Sequence, residues 1–192
     1  MNNNLIVVGI TGVARSGKDT IAQILCSRFG FTRIALADGL RSAFRDLDGP
    51  TWELTKDLES SGQSTRWALQ TLGSECRRDI RCQRLWIHLL LAKIRYLHKY
   101  HPAPRTRFVV PDIRFKVEAS ELRHAISVSM GGRFDVWKAL RDSAGLSGQL
   151  ANHASETELD SIIVDLQVSN NSGLTELETV VSTYGRQLLE QP

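Results

Sequence analysis

The sequence predicts an α/β fold with a doubly wound parallel sheet. Three observations carry that expectation. Leu5-Ile6-Val7-Val8-Gly9-Ile10 is a continuous apolar run, the pattern of a strand buried on both faces. Strand-like and helix-like segments alternate from there to the end. The 192 residues suit one domain with its own core.

After Leu5–Ile10 comes a Gly-containing loop, then a helical pattern from Thr20 to Cys26 that stops near Gly30. Residues 31–36 read as a second short strand. Residues 37–47 read as a helix ended by Asp48-Gly49-Pro50. Residues 51–64 are polar and weakly patterned, so a loop is expected. Residues 65–78 and 83–100 read as two helices, and His101-Pro102-Ala103-Pro104 breaks the chain. Residues 107–111 are a third strand with Asp112 just past its end. Residues 117–124 read as a helix, 125–128 as a fourth strand and 162–168 as a fifth. Residues 130–153 show no clear strand pattern. Asn170-Asn171-Ser172-Gly173 is a turn, and residues 174–189 close the chain as a helix. No repeat or linker marks a second domain, so residues 1–192 are expected to form one.

Composition excludes several classes. Apolar residues make up 42% and charged residues 23%, ordinary for a globular chain. No apolar run approaches the ~18–20 residues of a membrane span, so no membrane association is expected. The Met1-Asn2-Asn3-Asn4 start has no basic region of a secretory signal. Cys26, Cys76 and Cys82 form no CxxC pair, which favours a reducing, cytoplasmic setting over a structural zinc site. The net charge is only +3. However, 18 of the 24 basic residues are Arg, and residues 66–124 hold 13 Lys/Arg against five Asp/Glu. Arg suits phosphate through its planar fork. A solvated helical surface would account for part of the same excess.

One segment is more specific. Gly12-Val13-Ala14-Arg15-Ser16-Gly17-Lys18-Asp19-Thr20 matches G-x-x-x-x-G-K between an apolar strand and a helical pattern. In that context, successive backbone N–H groups form an anion nest at a helix N-terminus. Lys18 adds charge where β/γ-phosphates would sit. The competing reading is a Gly-rich turn after any strand. The spacing and context favour a three-layer P-loop NTPase fold, with a five-stranded parallel sheet and helices on both faces. Asp19 stands where Ser or Thr usually binds Mg²⁺, so either Asp19 or Thr20 is a candidate metal ligand. Asp112, at the end of an apolar strand, is a third candidate.

The blocks GVARSGKDT, ALADGLR, RWALQTLGSECRR, PDIRF and HASETELD occur in this order. Together they resemble the bacteriophage-type deoxynucleoside monophosphate kinases, within the P-loop nucleoside-monophosphate kinases. The resemblance spans nearly the whole chain. It implies transfer of the ATP γ-phosphoryl group to a deoxynucleoside monophosphate (dNMP), with Mg²⁺, and a cytoplasmic enzyme. It also implies an acceptor-binding region at about residues 37–100 and a lid at about 131–153. Asp38, Arg41, Arg66, Gln70, Glu75, Arg78, Trp86 and Arg114 match acceptor-binding positions. Helical spacing separately lets Arg66 and Gln70 share a face, and likewise Glu75 and Arg78. Lys18, Asp112, Arg114 and the two lid arginines, Arg133 and Arg141, match catalytic roles. Asn170 and Asn171 fit the loop bordering adenine. Gly39 stands where the family usually has proline. Such kinases often form homodimers. Two alternatives stay open: a P-loop kinase acting on a hydroxymethylated base in DNA, and a non-catalytic nucleotide-binding regulator.

Overall fold

Leu5–Thr11 (β1) is buried at every position and forms the middle of a five-stranded sheet. The computed structural model describes residues 5–48, 60, 62, 84–100, 106–144 and 158–190. Around β1 are Thr32–Arg33 (β2), Thr106–Val110 (β3), Arg133–Leu140 (β4) and Leu166–Ser169 (β5). The order is β2-β3-β1-β4-β5, and every pairing is parallel. In the crossover from β3 to β4 the chain passes from one side of β1 to the other. Such a reversal opens a crevice at the carboxyl ends of the strands.

The described helices are Lys18–Phe29 (α1), Ala37–Asp48 (α2), Leu85–Tyr100 (α3), Lys116–Arg123 (α4) and Leu174–Glu190 (α5). The chain divides into two units, one of residues 1–34 and 94–192 and one of residues 35–93. The first holds the sheet. Side chains alternate along β1, so Ile6, Val8 and Ile10 pack with Ile21, Leu25, Leu177, Val181 and Leu188 of α1 and α5. On the other face, Gly9 lies against Ile113 and Phe134. Arg123 of α4 covers that face, 5.7 Å over the Phe134 ring. α1 stops where expected, at Gly30 with φ 66°, whose N–H caps the Cys26 and Leu25 carbonyls.

Two expectations about the sheet need correction. Residues 125–128 are not the fourth strand. They lie in a π-helical turn, His124–Ser129, with the Met130 N–H bonded to the Ala125 carbonyl at 3.0 Å. A four-residue apolar run has no period long enough to separate strand from helix. The fourth strand is Arg133–Leu140, inside the stretch expected to form a lid. Its polar residues Arg133, Asp135 and Lys138 hide an alternating pattern. Arg133 and Asp135 share a face and pair at 2.9 Å, and Lys138 pairs with Asp160 at 2.7 Å. A lid can therefore include only the residues after Leu140, of which 145–153 lie outside the described set. The fifth strand is also shorter than expected and begins at Leu166. Asp165 caps its start by accepting from the Val136 N–H at 2.7 Å and pairing with Arg123.

Candidate functional site

Residues 12–17 turn between β1 and α1 in a conformation that excludes side chains at two points. Gly12 has φ 134°, and a Cβ there would lie 2.5 Å from the Ala139 carbonyl oxygen. Gly17 has φ 101°, and its Cβ would lie 2.3 Å from Asn170 Nδ2. Arg15 is exposed and has φ 66°, the one non-glycine residue with positive φ among the described residues. Alternating conformations of this kind turn successive N–H groups to one side. The first turn of α1 adds N–H groups with no carbonyl one turn earlier and the positive end of the helix dipole. Lys18 curls over the loop, donating to the Gly12 and Val13 carbonyls at 2.7 and 2.6 Å. The Thr11 and Ser16 hydroxyls at the base of the loop are buried and make no hydrogen bond among the described residues. This arrangement can bind a polyphosphate.

Beside it, the chain leaving β3 is held to β1 by the Ile113 N–H, which donates to the Ile10 carbonyl at 3.1 Å. Asp112 and Arg114, both half-buried, flank that anchor next to the loop. Glu118 accepts from the Arg114 and Phe115 backbone N–H groups at 2.8 and 3.0 Å. It thereby shapes the turn that carries Arg114 and caps α4.

Of the two lid arginines, Arg141 follows β4 at the end of the sheet that carries the phosphate loop. Arg133 does not. It pairs in register with Ile6, whereas Lys138 pairs with Thr11, directly before the loop. Arg133 therefore sits at the far end of β4, about 16 Å down the strand at ~3.3 Å per residue. Arg133 is therefore too far from the loop to act on a group bound there, contrary to the expected catalytic role. Asn170 and Asn171 lie near the loop but hold protein groups. Asn170 Nδ2 donates to the Ser16 carbonyl at 3.0 Å, and Asn171 Oδ1 accepts from the Asp142 N–H at 2.9 Å.

For a divalent metal, oxygen donors suffice, because Mg²⁺ keeps waters and phosphates as most of its ligands. No cluster of three or more His, Cys, Asp or Glu side chains occurs among the described residues. Asp19 is largely exposed and engaged with Arg33 at 3.2 Å. Thr20 is half-buried one position further into α1. Thr20 and Asp112 carry hard oxygen atoms of the kind Mg²⁺ takes, whereas Asp19 already pairs with Arg33 and is the less suited of the three candidates. Cys26, half-buried on α1, has its thiol pushed up by burial, a shift that Arg33 opposes. That is the character of an unreactive thiol.

The second unit contains a cavity of about 400 Å³ between α2 and α3. Asp38, Arg41, Arg45, Trp86, Leu89 and Lys93 line it. Asp38 accepts from the Ala35 N–H at 2.9 Å, and its carboxylate lies 3.6 Å from Arg41 and 3.5 Å from Lys93. It organises the cations of the pocket and fastens the start of α2. Gly39 faces Trp86 and Leu89, where an added Cβ would come within 3.3 Å of both side chains. The Trp86 Nε1 is buried and makes no hydrogen bond among the described residues. Arg45 and Lys93 were not anticipated. Their signal was spacing, since Arg41 and Arg45 are four apart and Trp86 and Lys93 seven apart, each pair on one helical face. Arg66, Gln70, Glu75 and Arg78 lie outside the described residues.

No family model matches the chain. A curated mimivirus protein from Acanthamoeba polyphaga mimivirus, named "Putative deoxynucleotide monophosphate kinase", is 26% identical over 90% of this chain and 92% of its own length. Among solved structures, TT1252 from Thermus thermophilus covers 95% of this chain and 97% of its own, at 18% identity and TM-score 0.50. Dephospho-CoA kinase from Campylobacter jejuni covers 96% and 98%, at 14% identity and TM-score 0.49. No described helix is long and apolar enough to cross a membrane. The chain has a P-loop type α/β fold, a five-stranded parallel sheet flanked by helices with the glycine-shaped loop between β1 and α1, and its sequence is similar to that of the mimivirus protein.

Proposed function

We propose that this protein transfers the γ-phosphoryl group of ATP to the phosphate of a dNMP, giving the diphosphate. The observation that carries the reading is a pair of differently built anion sites. One is the glycine-shaped loop capped by Lys18. The other is the pocket of the second unit, lined by Arg41, Arg45, Lys93 and Trp86, in which Arg41 and Lys93 pair with the Asp38 carboxylate.

The chemistry matches this inventory. A phosphate acceptor is already anionic near neutral pH, so no general base is required, and catalysis becomes positioning and charge stabilisation. The loop would hold the triphosphate through backbone N–H groups. Lys18 would follow the charge on the transferring group, with Arg114 and Arg141 adding positive charge. Thr20 and Asp112 would hold Mg²⁺, which when bound neutralises the phosphate oxygens. Arg41, Arg45 and Lys93 would hold the acceptor phosphate, and Trp86 would offer a flat surface to its base. Asp38 would act by orienting Arg41 and Lys93. Arg66, Gln70, Glu75 and Arg78 would complete acceptor recognition. The cysteine usage accords with a reducing cytoplasm.

A second reading has its own observation. Arg84, just before α3, and His88, Arg95 and Lys99 on it are exposed at helical spacing, a basic stripe that would follow a nucleic-acid backbone. It would accompany transfer to a hydroxyl on a modified base in DNA. A coupled ADP-release assay with each of the four common dNMPs and with hydroxymethylated duplex DNA separates the readings. Turnover on at least one dNMP, absent with DNA, is the expected result. Transfer to DNA with no dNMP turnover would replace the lead reading with the second.

A further inference from the structure

We propose that Asn170 is a positioning residue for the phosphate loop. It locks the Ser16–Gly17 peptide in the orientation that receives phosphate, and it does not read the adenine base. The proposal rests on the reading of the loop as a triphosphate site.

Ser16 and Asn170 are 154 positions apart in sequence, yet the Asn170 side-chain amide donates to the Ser16 carbonyl at 3.0 Å. The asparagine is itself fixed, because its own N–H donates to the Leu140 carbonyl at 2.8 Å and extends the β4–β5 ladder. A trans peptide is planar, with its C=O and N–H pointing in opposite directions. Holding the Ser16 carbonyl toward Asn170 therefore turns the Gly17 N–H away from Asn170. In our proposal that is the side the phosphates take.

The loop needs such a lock. Arg15 and Gly17, on either side of Ser16, both have positive φ. Glycine passes between backbone regions at little cost, so a flip of the Ser16–Gly17 peptide is opposed mainly by outside contacts. A flipped peptide would present a carbonyl dipole where the phosphate should meet an N–H. Gly17 must also lack a Cβ for Asn170 to reach its partner, since a Cβ would lie 2.3 Å from Nδ2. The same glycine that gives the loop its turn also admits the lock that stops it from turning further.

The test compares ATP with inorganic tripolyphosphate, which has no base, by calorimetric titration. Asn170→Asp keeps the shape but sets an acceptor against the Ser16 carbonyl. Asn170→Ala removes the donor without adding charge and serves if the aspartate variant does not fold. Wild type should bind both ligands. In the variant, both affinities should fall together by about tenfold or more, the scale of one lost hydrogen bond. Preference among ATP, GTP and CTP should stay the same. A loss confined to ATP, or a changed base preference, would overturn the proposal and make Asn170 a base-reading residue. A folded variant with both affinities intact would overturn it as well. Wild type that binds neither ligand would instead overturn the triphosphate-site reading, and this proposal with it.

Discussion

On the proposed reading, the loop after β1 and the pocket of the second unit handle negative charge with different materials. The loop uses backbone. Its dihedral angles, with Gly12 at 134°, Arg15 at 66° and Gly17 at 101°, aim peptide dipoles, and Lys18 folds back over it. The pocket uses side chains, with three cations on two helices, two of them, Arg41 and Lys93, paired with Asp38. A backbone site tolerates almost no change of shape, because its donors are the chain itself. A side-chain site can lose one of several cations and still bind. Damage to the first should therefore be steep and specific to the donor nucleotide. Damage to the second should be graded and specific to the acceptor.

The steepest expected loss tests that contrast first. Lys18→Ala should lower kcat about 10²- to 10³-fold in the coupled assay, the scale of losing one charge-stabilising donor. Its melting temperature should stay within a few degrees of wild type. Retained turnover would remove the loop from the chemistry. Gly17→Ala comes next. It combines positive-φ strain of about 1–3 kcal/mol with a collision at Asn170. It should weaken ATP binding at least tenfold in titration, and thermal denaturation should report the strain. Arg41→Ala should raise the acceptor KM about tenfold and leave the ATP KM within about twofold. The reverse split would assign Arg41 to the donor. Arg133→Ala should do least. Its half-buried pair with Asp135, at the far end of β4, contributes about 1 kcal/mol or less. Both KM values should be unchanged, and a kcat loss above tenfold would give Arg133 a catalytic role.

The same contrast explains what could be read from the sequence. A backbone site writes itself as glycine spacing, so β1, the loop and α1 were legible from Leu5–Ile10 and from Gly12, Gly17 and Lys18. Side-chain sites on helices leave only a period. Arg41 and Trp86 came through resemblance, whereas Arg45 and Lys93 looked like ordinary surface cations until α2 and α3 were folded around one cavity. The strand at Arg133–Leu140 was hidden because its polar positions are satisfied by pairs within and beyond the strand. One of those partners, Asp160, is 22 positions from Lys138. Asn170 was legible as a position in a turn and, by resemblance, as part of a loop bordering adenine, but not as a partner of Ser16. Its hydrogen bond to Ser16 spans most of the chain, and no local pattern encodes such a contact.

The central claim is that donor and acceptor are held by separate sites, one made of backbone and one of side chains. The most direct measurement is a four-way titration, with a non-hydrolysable ATP analogue and a dNMP each titrated into Gly17→Ala and Arg41→Ala. The account predicts a crossed pattern, in which Gly17→Ala loses the analogue and keeps the dNMP, and Arg41→Ala does the opposite. Equal loss of both ligands in both variants, with the fold intact, would contradict it.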